Sequence, residues 1–336
     1  MSVPNTRIII IILLLVASAG LARAAGRIGI IDWYGYGDLD LAKLHAALPF
    51  HEGETLPSTE ARDAARKTFE ETVGRPAQFA PICCLKDGDS TLFIGLAEPD
   101  APGVILNPRP RDDVRFPKDV LAIFRRADQD LEEAVRKGVS GEDDSEGYAL
   151  PKDPAARSDY LRIREWTRAH TATVYRVLQT SRYDEQREHA AVALGYAELS
   201  PRQIPALVRA SFDSNEGVRD EAIRALEVLC NLGPKVSRQI PAERFLPLLH
   251  SLVWTDRNKA LFLFMMLTGA RDPDLLALLR ARALDPLREM AQWKDWSHAA
   301  SAMTILGRIA GIEEERLQQL VNAGKVVEIL QRALTR

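Results

Sequence analysis

Four stretches of the chain share one spacing, a small residue followed by apolar residues three, four and seven positions later. They are Ala190/Ala193/Leu194/Ala197, Ala222/Ala225/Leu226/Leu229, Ala260/Leu263/Phe264/Leu267 and Ala299/Ala302/Met303/Leu306. At 3.6 residues per turn each set lies on one face of an α-helix. The sets begin 32, 38 and 39 residues apart, an interval that predicts stacked helical pairs, an α-α superhelix, rather than one closed globule. Ser200-Pro201 and Asp272-Pro273 predict helix starts, an N-cap residue followed by a proline whose missing N–H costs nothing there. Gly233, Gly269 and Gly307 follow the stripes and are expected as C-terminal caps.

Upstream the pattern is mixed. Ile28, Ile30, Ile31 and Trp33 form a short β-run broken by Gly35 and Gly37, and Leu39, Leu41, Leu44 and Leu48 then suggest a helix. Ser58 is the expected N-cap of a second helix reaching Val73, with Ala61, Ala65 and Phe69 on its apolar face. Phe79–Leu85 and Thr91–Ala97 are expected strands, joined through an Asp-Gly turn. The order is β-α-α-β-β. Residues 99–118 are dense in proline and arginine, an extended connector laid over a surface. A helix is expected over Asp119–Lys137, followed by a glycine- and acid-rich loop to residue 154. The fold class is therefore mainly α: a small α+β domain over 27–98, a connecting region over 99–154, and a helical array over 155–336.

Two resemblances follow from these residues. The β-α-α-β-β order, with Ile30, Gly37, Leu44, Leu48 and Gly53, resembles the polypeptide-transport-associated (POTRA) domain of bacterial outer-membrane and division proteins. The segment Ile204–Leu229 resembles a HEAT repeat, carried by Asp213, Val218-Arg219, Ala222 and Ala225-Leu226. Residues 139–336 as a whole look like exported bacterial HEAT-repeat proteins of unknown function. The resemblance implies a HEAT/armadillo-like solenoid whose concave face binds a macromolecule.

Residues 1–24 predict a secretory signal peptide: Arg7, then the apolar run Ile8–Ala19, then small-x-small sites at Ala17-Ser18-Ala19 and Ala22-Arg23-Ala24. The run is shorter than the roughly 20 residues of a membrane span, so an exported, periplasmic or envelope protein without a transmembrane segment is expected. Net charge is −3, with acids and bases interspersed, which lacks the electrostatic footprint of a nucleic-acid binder. Three cysteines, Cys83, Cys84 and Cys230, do not make a disulfide framework, and Cys230, just past a stripe, is expected to be a buried free thiol.

Candidate chemistry is sparse. Trp33, Tyr34 and Tyr36 are candidate partner-contacting aromatics, with a plain turn or core role as the alternative. Arg219 is expected to pair with an acid of a neighbouring repeat or to face solvent, where it could meet a partner. Glu142, Asp144, Glu146 and Asp153 occupy positions one, three, five and twelve of a calcium-loop pattern with glycine at six. That pattern departs from the usual loop in its Glu at one and five, its Asp at twelve and its internal Pro151, and a solvated acidic linker is the preferred reading. Among the histidines there is no zinc spacing, and His51-Glu52 is the one His-Glu pair, where HEAT-like iron hydroxylases use several. No nucleophile elbow or dinucleotide fingerprint is completed. The expected function is a non-catalytic interaction scaffold with a protein partner and no cofactor. The alternative is an enzyme or cofactor-handling protein that uses the solenoid groove as a substrate cradle, in the manner of HEAT-like bilin lyases.

Overall fold

The computed structural model describes residues 26–335 apart from 84, 86, 87 and 140. The expected leader over 1–24 and the centre of the Asp-Gly turn lie outside the described residues. Among the described residues no helix is long and apolar enough to cross a membrane.

The first domain runs β1 (Ile28–Tyr34), α1 (Leu41–Ala46), α2 (Thr59–Val73), β2 (Ala77–Cys83) and β3 (Ser90–Leu96). The central strand β3 pairs parallel to β1 and antiparallel to β2. Ser58 caps α2, its hydroxyl accepting from Ala61 N–H, and Gly74 ends the helix in the left-handed region. Successive side chains point to opposite sheet faces. One face, with Ile31, Trp33, Phe79, Leu92, Ile94 and Leu96, packs under α1 and α2 against Leu44, Leu48 and Phe69. The other carries Asp32, Tyr34, Thr91 and Phe93, and is covered as well.

What covers it is the helical array. This comprises α3 (Lys118–Arg136), a minimal hairpin of β4 (Glu142–Asp143) and β5 (Leu150–Pro151), α4 (Pro154–Thr180), α5 (Asp184–Gly195), α6 (Gln203–Ala210), α7 (Glu216–Leu229), α8 (Pro234–Ser237), α9 (Trp254–Leu267), α10 (Pro273–Arg282), α11 (Leu284–Ala291), α12 (Trp296–Ile309), α13 (Glu314–Asn322) and α14 (Val326–Leu334), with a 3₁₀ turn over Ala242–His250. The four stripes fall on α5, α7, α9 and α12, which stack in that order, with Ala197 just past the end of α5. Every stripe residue except the half-buried Ala197 is buried. Alanines let the helix axes approach, and the leucines and phenylalanines fill the space between layers.

The structure corrects several local expectations. Asp272 caps α10 ahead of Pro273, as the pattern predicts, but Ser200-Pro201 makes only a turn and α6 starts at Gln203. Asp153-Pro154, placed in a loop by the sequence reading, is a true helix start: the Asp153 carboxylate accepts from Ala155 and Ala156 N–H at 3.0 Å. Gly233 ends the turn after α7 with positive φ. Gly269 does not act as a left-handed cap; Arg271 takes that conformation at φ 52°. Gly307 lies inside α12, where the Leu317 side chain occupies the space a Cβ would need.

The proline-rich segment runs along the array. Asn107 N–H donates to Phe212 C=O at 2.6 Å, and Asp112 forms an isolated bridge with Ser181.

Candidate functional site

The sequence candidates come first. Trp33 and Tyr34 are not exposed partner contacts: both are buried, at 5 % and 0 %. Trp33 donates from its indole N–H to His45 Nε2 at 2.8 Å and packs on Phe69, while the Tyr34 hydroxyl donates to Leu252 C=O at 2.8 Å across the domain boundary. Tyr36 is half-buried beside that boundary. The alternation of β1, with the array on one side of the sheet and α1/α2 on the other, consumes the first two aromatics.

Arg219 is also internal. Its Nε and Nη2 donate to Asp256 at 2.6 and 3.0 Å, with both side chains 4 % exposed. Arg219 stands three residues before the first alanine of its stripe, and the same register places Arg187 and Arg257 before Ala190 and Ala260. Arg187 donates to Asp213 at 2.7 and 2.9 Å. Arg257 donates to Glu98, just past β3 of the first domain, at 2.6 Å. The sequence reading missed Arg187 and Arg257 because it followed only apolar positions; aligning the stripes would have found them. These arginines tie one layer to the next and, at α9, tie the array to the sheet.

The acids of the calcium-like pattern are dispersed. Glu142 accepts from Arg224, Asp144 accepts from Asn231 Nδ2 at 2.8 Å, Glu146 accepts from the Tyr148 hydroxyl, and Asp153 caps α4. Among the described residues no group of three or more His, Cys, Asp or Glu side chains is placed to hold a metal ion. Cys230 is buried and free, its thiol pushed up to about 12 by burial and then by Glu227, whereas Cys83 is disulfide-bonded.

Two polar clusters remain. The first lies where the sheet meets the array. The Asp32 carboxylate accepts from Lys294 and Asp295 N–H at 2.8 and 2.9 Å, and Asp295 accepts from the Thr91 hydroxyl at 2.8 Å. Glu289 accepts from Gly35 and Gly37 N–H at 2.5 and 2.7 Å. Phe93 packs among Trp254, Trp293 and His298. Burial raises Asp32 to about 6 although the Asp295 and Lys294 N–H groups oppose it. At Glu98 burial also pulls upward, but the His250 contact and Arg257 outweigh it and hold the carboxyl below its ordinary range. With its carboxylates supplied with donors, this cluster is a joint.

The second cluster is different. On the side of α7 opposite its stripe stand Asp220, Glu221, Arg224 and Glu227. Asp128 of α3 and Glu188 of α5 are their neighbours in the surrounding field, with Glu132 and Glu185 further out. Gly217, at the start of α7, allows the Glu188 carboxylate to settle over it; a Cβ there would lie 2.6 Å from Glu188 Oε2. Donors are few. Arg224 is engaged by Glu142, and Lys259 Nζ lies 3.4 Å from Asp220. Both carboxyl oxygens of Glu227 and Oδ1 of Asp220 are buried without a hydrogen-bond partner. Desolvation, then the neighbouring carboxylates, pushes Asp128 and Glu188 up to about 7. Glu227 is pushed up to about 8 by burial, with Lys259 pulling against it. Glu221 is raised by burial, opposed by Arg224. Such groups carry protons near neutrality and release them when a positive charge arrives. Sequence reasoning missed this cluster, since its acids come from three helices more than ninety residues apart end to end; its signal was Asp220, Glu221 and Glu227 opposite a stripe, where solvation was the ordinary expectation.

No protein-family model matches the chain, and no curated protein matches it. Among solved structures it is similar to the crystal structure of an engineered protein, at 20 % identity and a TM-score of 0.39, covering 65 % of this chain and 90 % of that one. A likeness that slight bears on neither fold nor function.

Proposed function

We propose that this protein is a non-catalytic interaction scaffold of the bacterial periplasm or envelope: a HEAT-like α-solenoid with a POTRA-like domain docked on it, which binds a protein partner on its concave face. The observation that carries the reading is the acid face of α3, α5 and α7, a set of desolvated carboxyls with too few internal donors and no evident structural use. Stacked helical repeats commonly present such faces to macromolecules. The basic, apolar and small-x-small succession over residues 1–24 supports export.

The alternative, an enzyme or cofactor-handling protein using the groove as a substrate cradle, draws on the same carboxyls, since acids raised toward neutrality suit general acid–base chemistry. The scaffold ranks ahead because the histidine and thiol beside these acids are poorly set up for chemistry: burial pushes His189 down to about 4 and the Cys230 thiol up to about 12.

The test is in-cell photocrosslinking. With p-benzoylphenylalanine in place of Glu132, on the acid face, one discrete partner adduct is expected; the same residue in place of Lys67, on α2, should give none. Identical adduct patterns at the two positions, or none at either, would reject the scaffold reading.

A further inference from the structure

We propose that the acid face is a recognition site for a cationic peptide segment, lysine or arginine side chains of the partner lying against α3, α5 and α7. This rests on the scaffold reading above and names what the partner must present.

Two independent observations point to a cation. The first is charge. Carboxyls of Asp128, Glu188, Asp220, Glu221 and Glu227 neighbour one another, with Asp184, Glu185 and Glu132 around them. The cations facing them are Arg224, engaged by Glu142, and Lys259, which burial pulls down and Asp220 and Glu227 draw upward; at the edge Arg109 and Arg187 pair with Asp184, and Arg125 with Glu185. The second is an unmet hydrogen-bonding demand at the centre. Glu227 is 2 % exposed and neither of its oxygens has a hydrogen-bond donor, whereas Asp220 Oδ1 already faces Lys259 Nζ at 3.4 Å. Buried carboxyl oxygens without donors are costly and uncommon. Asp128, Glu188 and Asp220 are only half-buried, so the cluster reaches solvent through them.

The chemistry of the donors then selects the occupant. A bare metal ion needs several ligands converging at one point, which these carboxyls do not offer. An ammonium brings three N–H donors and a guanidinium five, spread over a larger volume, and can engage acids that do not converge. Entry of the cation favours the ionised carboxyls, so binding expels protons. Since Asp128 and Glu188 stand at about 7 and Glu227 at about 8, affinity should rise as the pH climbs from 6 to 8.

The test is calorimetric titration of octalysine into the full chain in low salt. Binding is expected at pH 8, weaker at pH 6, with proton release that scales with buffer ionisation enthalpy. The double variant Asp128→Asn/Glu188→Gln should lose about tenfold or more in affinity. A control, Glu60→Gln/Glu71→Gln on α2, should bind like the unaltered chain. Removing two mutually repelling acids relieves repulsion, and an undiminished melting temperature of the double variant confirms that it is folded. Equal affinity of the double variant and the control, affinity independent of pH, or no binding at pH 8 would each overturn the proposal. If octalysine fails while the adduct at position 132 persists, the cationic segment is refuted and the scaffold stands; if the adduct is also missing, both fall.

Discussion

The joint between sheet and array and the acid face of α7 bury carboxyls to comparable depth, yet they treat them in opposite ways. At the joint Asp32 and Glu289 each receive two backbone N–H groups, and Glu98 receives Arg257. On the acid face Glu227 receives nothing. A buried carboxylate supplied with donors holds parts together; one left without them raises local energy unless something else binds. The joint is what folding required, and the acid face is what the proposed cationic partner would complete.

The largest effect should come from breaking the joint. Glu289→Ala strips the acceptor from two N–H groups and leaves Arg257, fully buried, with one fewer carboxylate. A loss of about 3 kcal/mol is expected, read as a lowered urea midpoint. A shift below about 1 kcal/mol would show that the joint is not held by this group.

On the acid face the sign should reverse. Glu227→Leu removes a carboxyl that has no donor, so stability should rise by about 1 kcal/mol at pH 8. The gain should vanish at acid pH, for a reason that also shapes the unaltered chain. Asp128, Glu188 and Glu227 stand at about 7, 7 and 8 when folded, above the ordinary carboxyl range they have unfolded. The folded state thus holds the extra protons. The contribution of these groups is fully present below about pH 4 and is lost as the pH rises toward 8. Urea midpoints recorded from pH 5 to pH 8 should fall for the unaltered chain and fall less for Glu227→Leu; parallel curves would place the titration elsewhere. The smallest effect belongs to a pair of neither kind. Arg125 and Glu185 meet at 2.9 Å with about half of each side chain in solvent, and Arg125→Ala should cost under about 0.5 kcal/mol in the same assay.

The contrast also explains which parts of the molecule were legible in the sequence. The four stripes predict the stacked helices because burial repeats there with a fixed period, and their residues do form the seams between layers. Ser58, Asp272 and the β-α-α-β-β order could be read locally, since caps and strands depend on near neighbours. The joint could not, because Asp32 finds its donors at positions 294 and 295. One sign of it was present: Thr91–Leu96 is apolar almost without interruption, the mark of a strand covered on both faces. Trp33 and Tyr34 therefore belong to the interior rather than to a partner. The acid face was hidden for a third reason. A carboxylate opposite a stripe is usually solvated, and only the packing of α5 and α9 against α7 crowds these out of water.

The arginine register has a last consequence. Arg187 and Arg219 reach acids supplied by the array itself, whereas Arg257 reaches one supplied by the sheet. The sheet thus stands in for a missing rung, bracing one flank of a stack that itself runs on to α12. Severing the chain within residues 99–118 would therefore not yield two self-sufficient halves. It would strand Arg257 and lay bare the aromatic faces of Phe93, Trp254 and Trp293, so that each fragment is expected to clump unless the two are produced together.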